Sequence, residues 1–370
     1  MAAILPFRTE PAYSHGKAPV TGILLCNLGT PDEPTPAAVR RYLREFLSDA
    51  RVVEIPRALW LPLLHGVILP VRSSKSAAKY ATIWTPEGSP LKVHTVRQAA
   101  LLEQALVADG HQVRVLPAMR YGNPSIASQL DALKAAGATR VLVLSAYPQY
   151  SGTTTASVVD AVNAWTTRAR QLPELRFVNR YHDHPGYIDA LAAGIESHWQ
   201  VHGRSEHLVM SFHGVPERTL SLGDPYHCEC HKTGRLLAER LGLAKEAYTV
   251  SFQSRFGKAK WLEPYTEPTL QALAARGVKR VDVACPGFTS DCLETLEEIA
   301  MEGRDAFLAA GGEGYQAIPC LNEHPAWISA MTMIAKQHMG GWPTETVAGA
   351  DTEAALAASR QRSLAMGARD

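Results

Sequence analysis

Charge of a single sign is what this chain most lacks. Its 37 lysines and arginines stand against 36 aspartates and glutamates over 370 residues, a formal net charge of +1, and no long run of either sign occurs. Nucleic-acid binders usually carry a basic stripe, so DNA and RNA are not expected partners. Long apolar runs are missing too. The longest, ALWLPLLHGVILPV at 58–71, has 14 residues and contains two prolines and a histidine. A spanning helix needs about 20 apolar residues, so this segment is expected to lie on a membrane or line a greasy cleft instead. The start of the chain, MAAILPFRTEP, lacks the apolar core of a signal peptide, so a cytosolic protein is expected. Six cysteines in a cytosolic enzyme of this size read as free thiols or metal ligands before disulfides. Neither GILLCNLGTP nor SFHGVP is a GxGxxG or Walker pattern, so nucleotide binding has no motif. Hydrophobic residues make up 46% of the chain, enough for real cores in roughly two domains.

What is present is a histidine and a carboxylate where strands end. HLVMSFHGVP (207–216) is a strand-like run that breaks at Gly214, just after His213. RVDVACPGFTSDCLETLEEIAM (280–301) reads as a short strand, a loop, and a helix whose first turn carries Glu294. In α/β sheets, ligands bind in the crevice beyond the carboxyl ends of strands. An imidazole and a carboxylate meeting there can take protons from a substrate, hold a divalent metal, or do both in turn. Each residue also has an ordinary reading. His213 fits a strand-end histidine satisfied by backbone, and Asp291 with Glu294 three positions on fits a capping box. Glu294, Glu298 and Glu302 recur every fourth residue, stacking three carboxylates on one helical face, with Leu293, Leu296, Ile299 and Ala300 on the apolar side. Such a ridge needs solvent or a cation. It is either a solvated face or a route that passes metal toward Glu294.

The chain also repeats itself weakly. LDALKAAGATRVLV (130–143) matches LQALAARGVKRVDV (270–283) at an offset of 140, each reading as a helix end, a glycine stop and a β-branched strand. Arg120-Tyr121-Gly122 matches Arg255-Phe256-Gly257, and GILLCNLGTP (22–31) matches LVMSFHGVP (208–216). The pattern predicts an α/β protein of two similar Rossmann-like domains, each a doubly wound parallel sheet, around a cleft. The boundary is expected between about 165 and 180 and is drawn before Pro173, giving domains 1–172 and 173–370. A helical or disordered tail is expected beyond Gly341. The copies differ chemically. Leu28 stands where the second has His213, and only the hydroxyls of Ser151, Thr153, Thr154 and Thr155 stand where it has Glu294.

The segment His227-Cys228-Glu229-Cys230-His231 offers two thiols and two imidazoles to a soft metal, with Cys320 as a candidate further ligand. A C-x-C pair is tight for one tetrahedral ion, so free thiols are favoured over bound zinc or an iron–sulfur cluster. Cys285 and Cys292 read as packing residues.

Several of these motifs together resemble the ferrochelatase family, whose members insert ferrous iron into protoporphyrin IX. SFHGVP (211–216), GDPYHC (223–228), FQSRFG (252–257) with Trp261, and CPGFTSDCLETLEEI (285–299) carry the resemblance in the second half. LLCNLGTPDEP (24–34), SPLKVHT (89–95), MRYGNPSI (119–126) and YPQYSGTTT (147–155) carry it in the first. The resemblance implies a chelatase-type fold with His213 and Glu294 facing each other across the porphyrin. It implies porphyrin or propionate contacts at Arg120 and Tyr121, a pocket lined by Leu28, Ser254, Trp261 and Phe288, and a hydrophobic lip between Ile55 and Val71. Some relatives have tyrosine or methionine where Leu28 stands. Protoporphyrin IX and Fe²⁺ are then the substrates, with no required cofactor and with peripheral membrane contact through the lip. The [2Fe–2S] cluster of some members uses a cysteine near YPQYS and a C-terminal cysteine group. Here Gly152 occupies the first region and no cysteine follows Cys320, so that version cannot be built. The rival readings are a chelatase that places cobalt or nickel in a reduced tetrapyrrole and a haem or metal carrier; the long intact segments favour ferrochelatase. Which of His213 and Glu294 removes protons and which delivers iron does not follow from sequence.

Overall fold

The structure, a computed structural model, describes residues 7–344 and 350–369. The opening residues 1–6 and the tail segment 345–349, on which part of the signal-peptide and tail readings rests, lie outside the described residues.

The first sheet contains β1 (Val20–Thr30), β2 (Val113–Gly122), β3 (Ala138–Ser145) and β4 (Glu174–Val178), in the order β2-β1-β3-β4. The second contains β5 (His207–His213), β6 (Tyr248–Gln253), β7 (Arg280–Ala284) and β8 (Gly314–Ala317), in the order β6-β5-β7-β8. Every pairing is parallel. Helices cover both faces of such sheets, which explains why β1 and β5 are near-continuous apolar runs instead of alternating ones.

The connection from β1 to β2 is long. It holds α1 (Pro36–Ser48), α2 (Arg57–Leu63), a π-turn (Leu64–Ile68), α3 (Leu69–Ile83) and α4 (Pro90–Ala108). Thr35 caps α1 by accepting the Ala38 N–H, and Pro36 stands at the first turn, where its missing N–H is harmless. After β2 come α5 (Ile126–Ala135), α6 (Thr155–Thr166) and α7 (Pro185–His202). The second sheet is joined by α8 (Arg218–Ser221), α9 (Tyr226–Arg240), α10 (Thr266–Ala275), a π-helix (Glu294–Gly303) with its extension α11 (Arg304–Ala309), and α12 (Pro325–Met339). The tail forms α13 (Ala350–Ala365).

Strand register makes the duplication explicit. Leu24 pairs with Leu116 and Val143, while Val209 pairs with Thr249 and Val283. The two central strands are thus 185 residues apart, the β2/β6 pair 133, and the β3/β7 pair 140. The first offset is larger because α1 to α3 have no counterpart between β5 and β6. The offset of 133 also shifts one expected match by two residues: Arg120 corresponds to Gln253, not to Arg255.

The boundary before Pro173 does not hold. β4 follows that proline yet pairs with β3, so Pro173 precedes an edge strand and not a linker. The repeat runs further still, since His184-Pro185 opens α7 as His324-Pro325 opens α12, again 140 residues on. The first unit therefore ends with α7, at Gly203, whose φ of 77° turns the chain out of the helix. The two closing helices are exchanged: α7 packs on α9 of the second unit and α12 on α4 of the first, and they also pack on each other. One apolar cluster consequently joins Ile23, Leu25 and Leu144 of the first sheet to Met210 and Phe212 of the second, through Tyr187 and Trp327. Each fully buried side chain of this size contributes about 1.5–3 kcal/mol.

Candidate active site

His213 is the last residue of β5, in register with Gln253 of β6. The strand stops there because Gly214 donates its N–H to the Gln253 carbonyl at 2.8 Å. A Cβ on Gly214 would stand 2.7 Å from that oxygen and 3.0 Å from the Trp261 ring, so only glycine permits the approach. The imidazole Nδ1 lies 2.6 Å from the Gly214 carbonyl oxygen. A carbonyl only accepts, so in the neutral ring Nδ1 carries the hydrogen and Nε2 keeps its lone pair. Trp261 and Phe288 flank the ring with centroids at 6.4 Å each. The backbone-satisfied reading of this histidine thus accounts for one nitrogen and leaves the other for chemistry.

Glu294 opens the π-helix, at the carboxyl end of β7. The capping box does not form. The Asp291 N–H goes to Asn322 Oδ1 at 2.9 Å, and its carboxylate accepts from Asn322 Nδ2 at 2.6 Å and Thr295 Oγ1 at 2.9 Å. Glu294 instead sits among Tyr42, Tyr80 and Cys292. Burial pushes all three well above their ordinary pKa values, and the negative charge of Glu294 adds to that rise. They stay neutral beside the carboxylate, and Cys292 is hydrogen-bonded to it. Two of them reach over from the first half of the chain, on α1 and α3.

The helix carrying the glutamates is π and not α, with i→i+5 hydrogen bonds and more than four residues in each turn. Residues four apart stay near one line along it, yet the three carboxylates have different partners. Glu298 accepts the Ser254 N–H at 2.6 Å and the Ser254 hydroxyl at 2.5 Å. Ser254 has φ of 64°, a left-handed conformation that serine seldom adopts, and Glu298 holds it there. Glu302 accepts from Lys79 of α3 at 2.8 Å, and the same ammonium lies 2.9 Å from Glu297. The expected ridge is therefore neither a simple solvated face nor an uncommitted row. One member is tied to the pocket loop and another to α3.

On the opposite wall Leu28 is half-buried at the end of β1. Arg120 donates through Nε to the Ser157 hydroxyl at 2.6 Å and through Nη2 to Asp49 at 2.6 Å. Tyr121 gives its hydroxyl to Asp49 at 2.8 Å and lies beneath the guanidinium, 4.5 Å away. Burial pushes the Asp49 carboxyl up, but Ser157, the Arg51 N–H, Tyr121 and Arg120 outweigh it and hold it below the ordinary value. A direct porphyrin contact does not fit Tyr121, which is 1% exposed. Its place is behind Arg120.

Between Ile55 and Val71 the lip presents Ile55, Leu59, Leu63, Val67 and Val71, from 45% to 70% exposed and spaced four apart, while Trp60, Leu64 and Leu69 face inward. Arg72 lies over the Phe256 ring at 4.8 Å and Glu54 pairs with Arg218 at 2.8 Å, so the inserted segment reaches the second half. Asp49, Gln253, Lys79 and the two tyrosines escaped the sequence reading. Gln253 lies inside FQSRFG and had a motif to mark it; Asp49 and Lys79 had none.

Cys228 and Cys230 fall on α9, where residues two apart point to different sides. Cys228 is exposed and Cys230 is fully buried. Burial also raises the Cys230 thiol, disfavouring the thiolate a metal needs. The two thiols thus lie in different surroundings, one exposed and one buried.

Two like-ordered parallel sheets with an imidazole and a carboxylate at their strand ends define a chelatase-type protein. The fold matches the solved structure of SirB from Bacillus subtilis with Fe³⁺ at a TM-score of 0.52 and 11% identity, over 86% of this chain and 96% of that one. The ferrochelatase family model matches residues 20–339. The ferrochelatase of Polaromonas sp. strain JS666 is 66% identical over 368 residues, 98% of this chain and all of the relative. That of Methylibium petroleiphilum is 67% identical over 359 residues, 97% of this chain and 98% of the relative. The chain belongs to the ferrochelatase family.

Proposed function

We propose that His213 and Glu294 carry out the reaction of this ferrochelatase, the insertion of ferrous iron into protoporphyrin IX to form protohaem. The reaction removes two pyrrole N–H protons and replaces them with Fe²⁺. The Nε2 lone pair of His213, left free because Nδ1–H is held by the Gly214 carbonyl, is the observation that carries the reading. It suits His213 to accept the pyrrole protons one after the other and pass them to water. Glu294, at the head of a helix bearing further carboxylates, suits delivery of the metal. One imidazole and one carboxylate hold Fe²⁺ loosely enough to release it. Apolar walls at Trp261, Phe288 and Leu28 favour a flat macrocycle, and bending it there would expose the nitrogen lone pairs. Arg120 provides the positive charge for a propionate.

Fe²⁺ is a substrate in this reading, and no resident cofactor is assigned. No helix among the described residues is long and apolar enough to cross a membrane. The exposed stripe of the lip supports peripheral contact with lipid at the cytoplasmic face, where sparingly soluble porphyrin and haem would be exchanged. The test is anaerobic: His213→Ala is given protoporphyrin IX and Fe²⁺ while the porphyrin spectrum is followed. Loss of insertion with porphyrin still bound is expected, and near-normal turnover would sink the assignment.

A further inference from the structure

We propose that Gln253 is a positioning residue that sets Glu294 against His213. The inference rests on the pair assigned above and deepens it. Gln253 is hydrogen-bonded to both sides of that pair. Its Cα is in register with His213, and its carbonyl accepts the Gly214 N–H at 2.8 Å. Its side chain, 4% exposed, crosses from β6 to the π-helix and donates through Nε2 to the main-chain carbonyl of Glu294 at 2.9 Å and to Glu298 Oε2 at 3.4 Å. Its Oε1 accepts the Ser211 hydroxyl at 2.8 Å, and the Cys285 thiol lies 3.7 Å away. Ser211 in turn contacts Thr266 at 2.8 Å.

These partners fix the amide's orientation. The Glu294 carbonyl can only accept, so Nε2 must face it, and Oε1 must face the strand. A wide π-turn is a rare geometry, and a side-chain donor to its first carbonyl pins the point where that geometry begins. Gln253 therefore joins, through one rigid group, the strand that ends in His213 and the helix that starts with Glu294. A misplacement of about 1 Å between reacting groups can cost roughly 10²-fold in rate. In the first half, Arg120 takes the corresponding register position and likewise donates to a main-chain carbonyl in the first turn of the matching helix, that of Ser157 in α6 at 2.9 Å, while its other end turns to Asp49.

The test measures three quantities in Gln253→Met and Gln253→Glu: kcat/KM for Fe²⁺, the Kd for protoporphyrin, and Tm. Met keeps the length and loses both polar ends; Glu keeps the acceptor for Ser211 and loses the donor to Glu294. Positioning predicts that both lower kcat/KM for Fe²⁺ at least tenfold, while the porphyrin Kd stays within twofold. Should Gln253→Met not fold, Gln253→Glu decides alone. Iron kinetics within twofold of the parent, or parallel losses in iron and porphyrin parameters that track Tm, would overturn the proposal. Glu294→Gln is measured beside them. A large loss there with none at Gln253 refutes only the positioning role, whereas near-normal turnover in Glu294→Gln refutes the underlying pair.

Discussion

The two halves of this ferrochelatase are built on one strand order and differ where the strands end. At the end of the central strand the first half has Leu28 and the second His213. One strand over, the first has Arg120 bound to Asp49 and the second Gln253 bound to the Glu294 carbonyl. Beyond the third strand, α6 is an ordinary α-helix with Thr154 before it, whereas the second half has a π-helix opening on Glu294. The first half adds α1 to α3 between its first two strands, where the second has α8, α9 and a single 3-10 turn at Lys245–Ala247. On the proposed assignment, a duplicated scaffold has become a greasy, charge-balanced binding wall and a polar, reactive one. The difference lies in the residues at strand ends and in one inserted segment, not in the sheets.

If reactivity belongs to the second half, the largest loss comes at its central strand. His213→Ala is expected to lower the insertion rate on the order of 10³-fold, as loss of a general base does. Leu28→His placed in the same variant should restore nothing, since Leu28 lacks the partners that orient His213. Recovery of activity in the double variant, followed by stopped anaerobic assays, would break the comparison.

Next comes the π-helix. Glu294→Gln should lose about 10²-fold in turnover, and Glu298→Gln under tenfold, seen mainly at low iron. Glu298 acts through Ser254, so Ser254→Ala should resemble Glu298→Gln. Equal, small losses at Glu294 and Glu298 would mean that the helix is structural.

For the first half, stability should suffer more than rate. Asp49→Asn is expected to cost about 2 kcal/mol in chemical denaturation, the scale of buried hydrogen bonds to a charged group, and to weaken porphyrin binding. The sign with pH follows from a folded pKa below the ordinary 3.8. The contribution is complete above 3.8 and fades as pH falls through the lower folded value, so the gap between parent and variant should narrow in strong acid. A gap that widens instead would contradict the stabilising role of Asp49.

Smallest is the effect of the lip. Leu59→Ser with Val67→Ser should reduce flotation with anionic vesicles several-fold, yet leave insertion into detergent-dispersed porphyrin within about twofold. Unchanged flotation would remove the lip from membrane contact.

Much of this was legible beforehand, for definable reasons. Continuous apolar runs and glycine stops carry over directly into parallel strands and their ends, so the fold and the placing of His213 and Glu294 followed from local pattern. The domain boundary failed because Pro173 marks an edge strand as readily as a linker, and α7 joins the first unit only through a His-Pro echo 140 residues on. The π-helix was missed because four-residue spacing of Glu294, Glu298 and Glu302 suits both helix types. The partners that tie Asp49 to Arg120 and Lys79 to Glu302 lie 71 and 223 residues away in sequence, and no local signal encodes that.

The exchange of α7 and α12 carries a consequence for folding. Each unit lends its last helix to the other, so neither unit retains a complete apolar face when cut away from its neighbour. The chain should therefore melt in a single transition reported alike by fluorescence and circular dichroism. Residues 20–202 expressed alone should expose the α4 surface that α12 covers and go to inclusion bodies, and only coexpression with the remainder should bring them into solution.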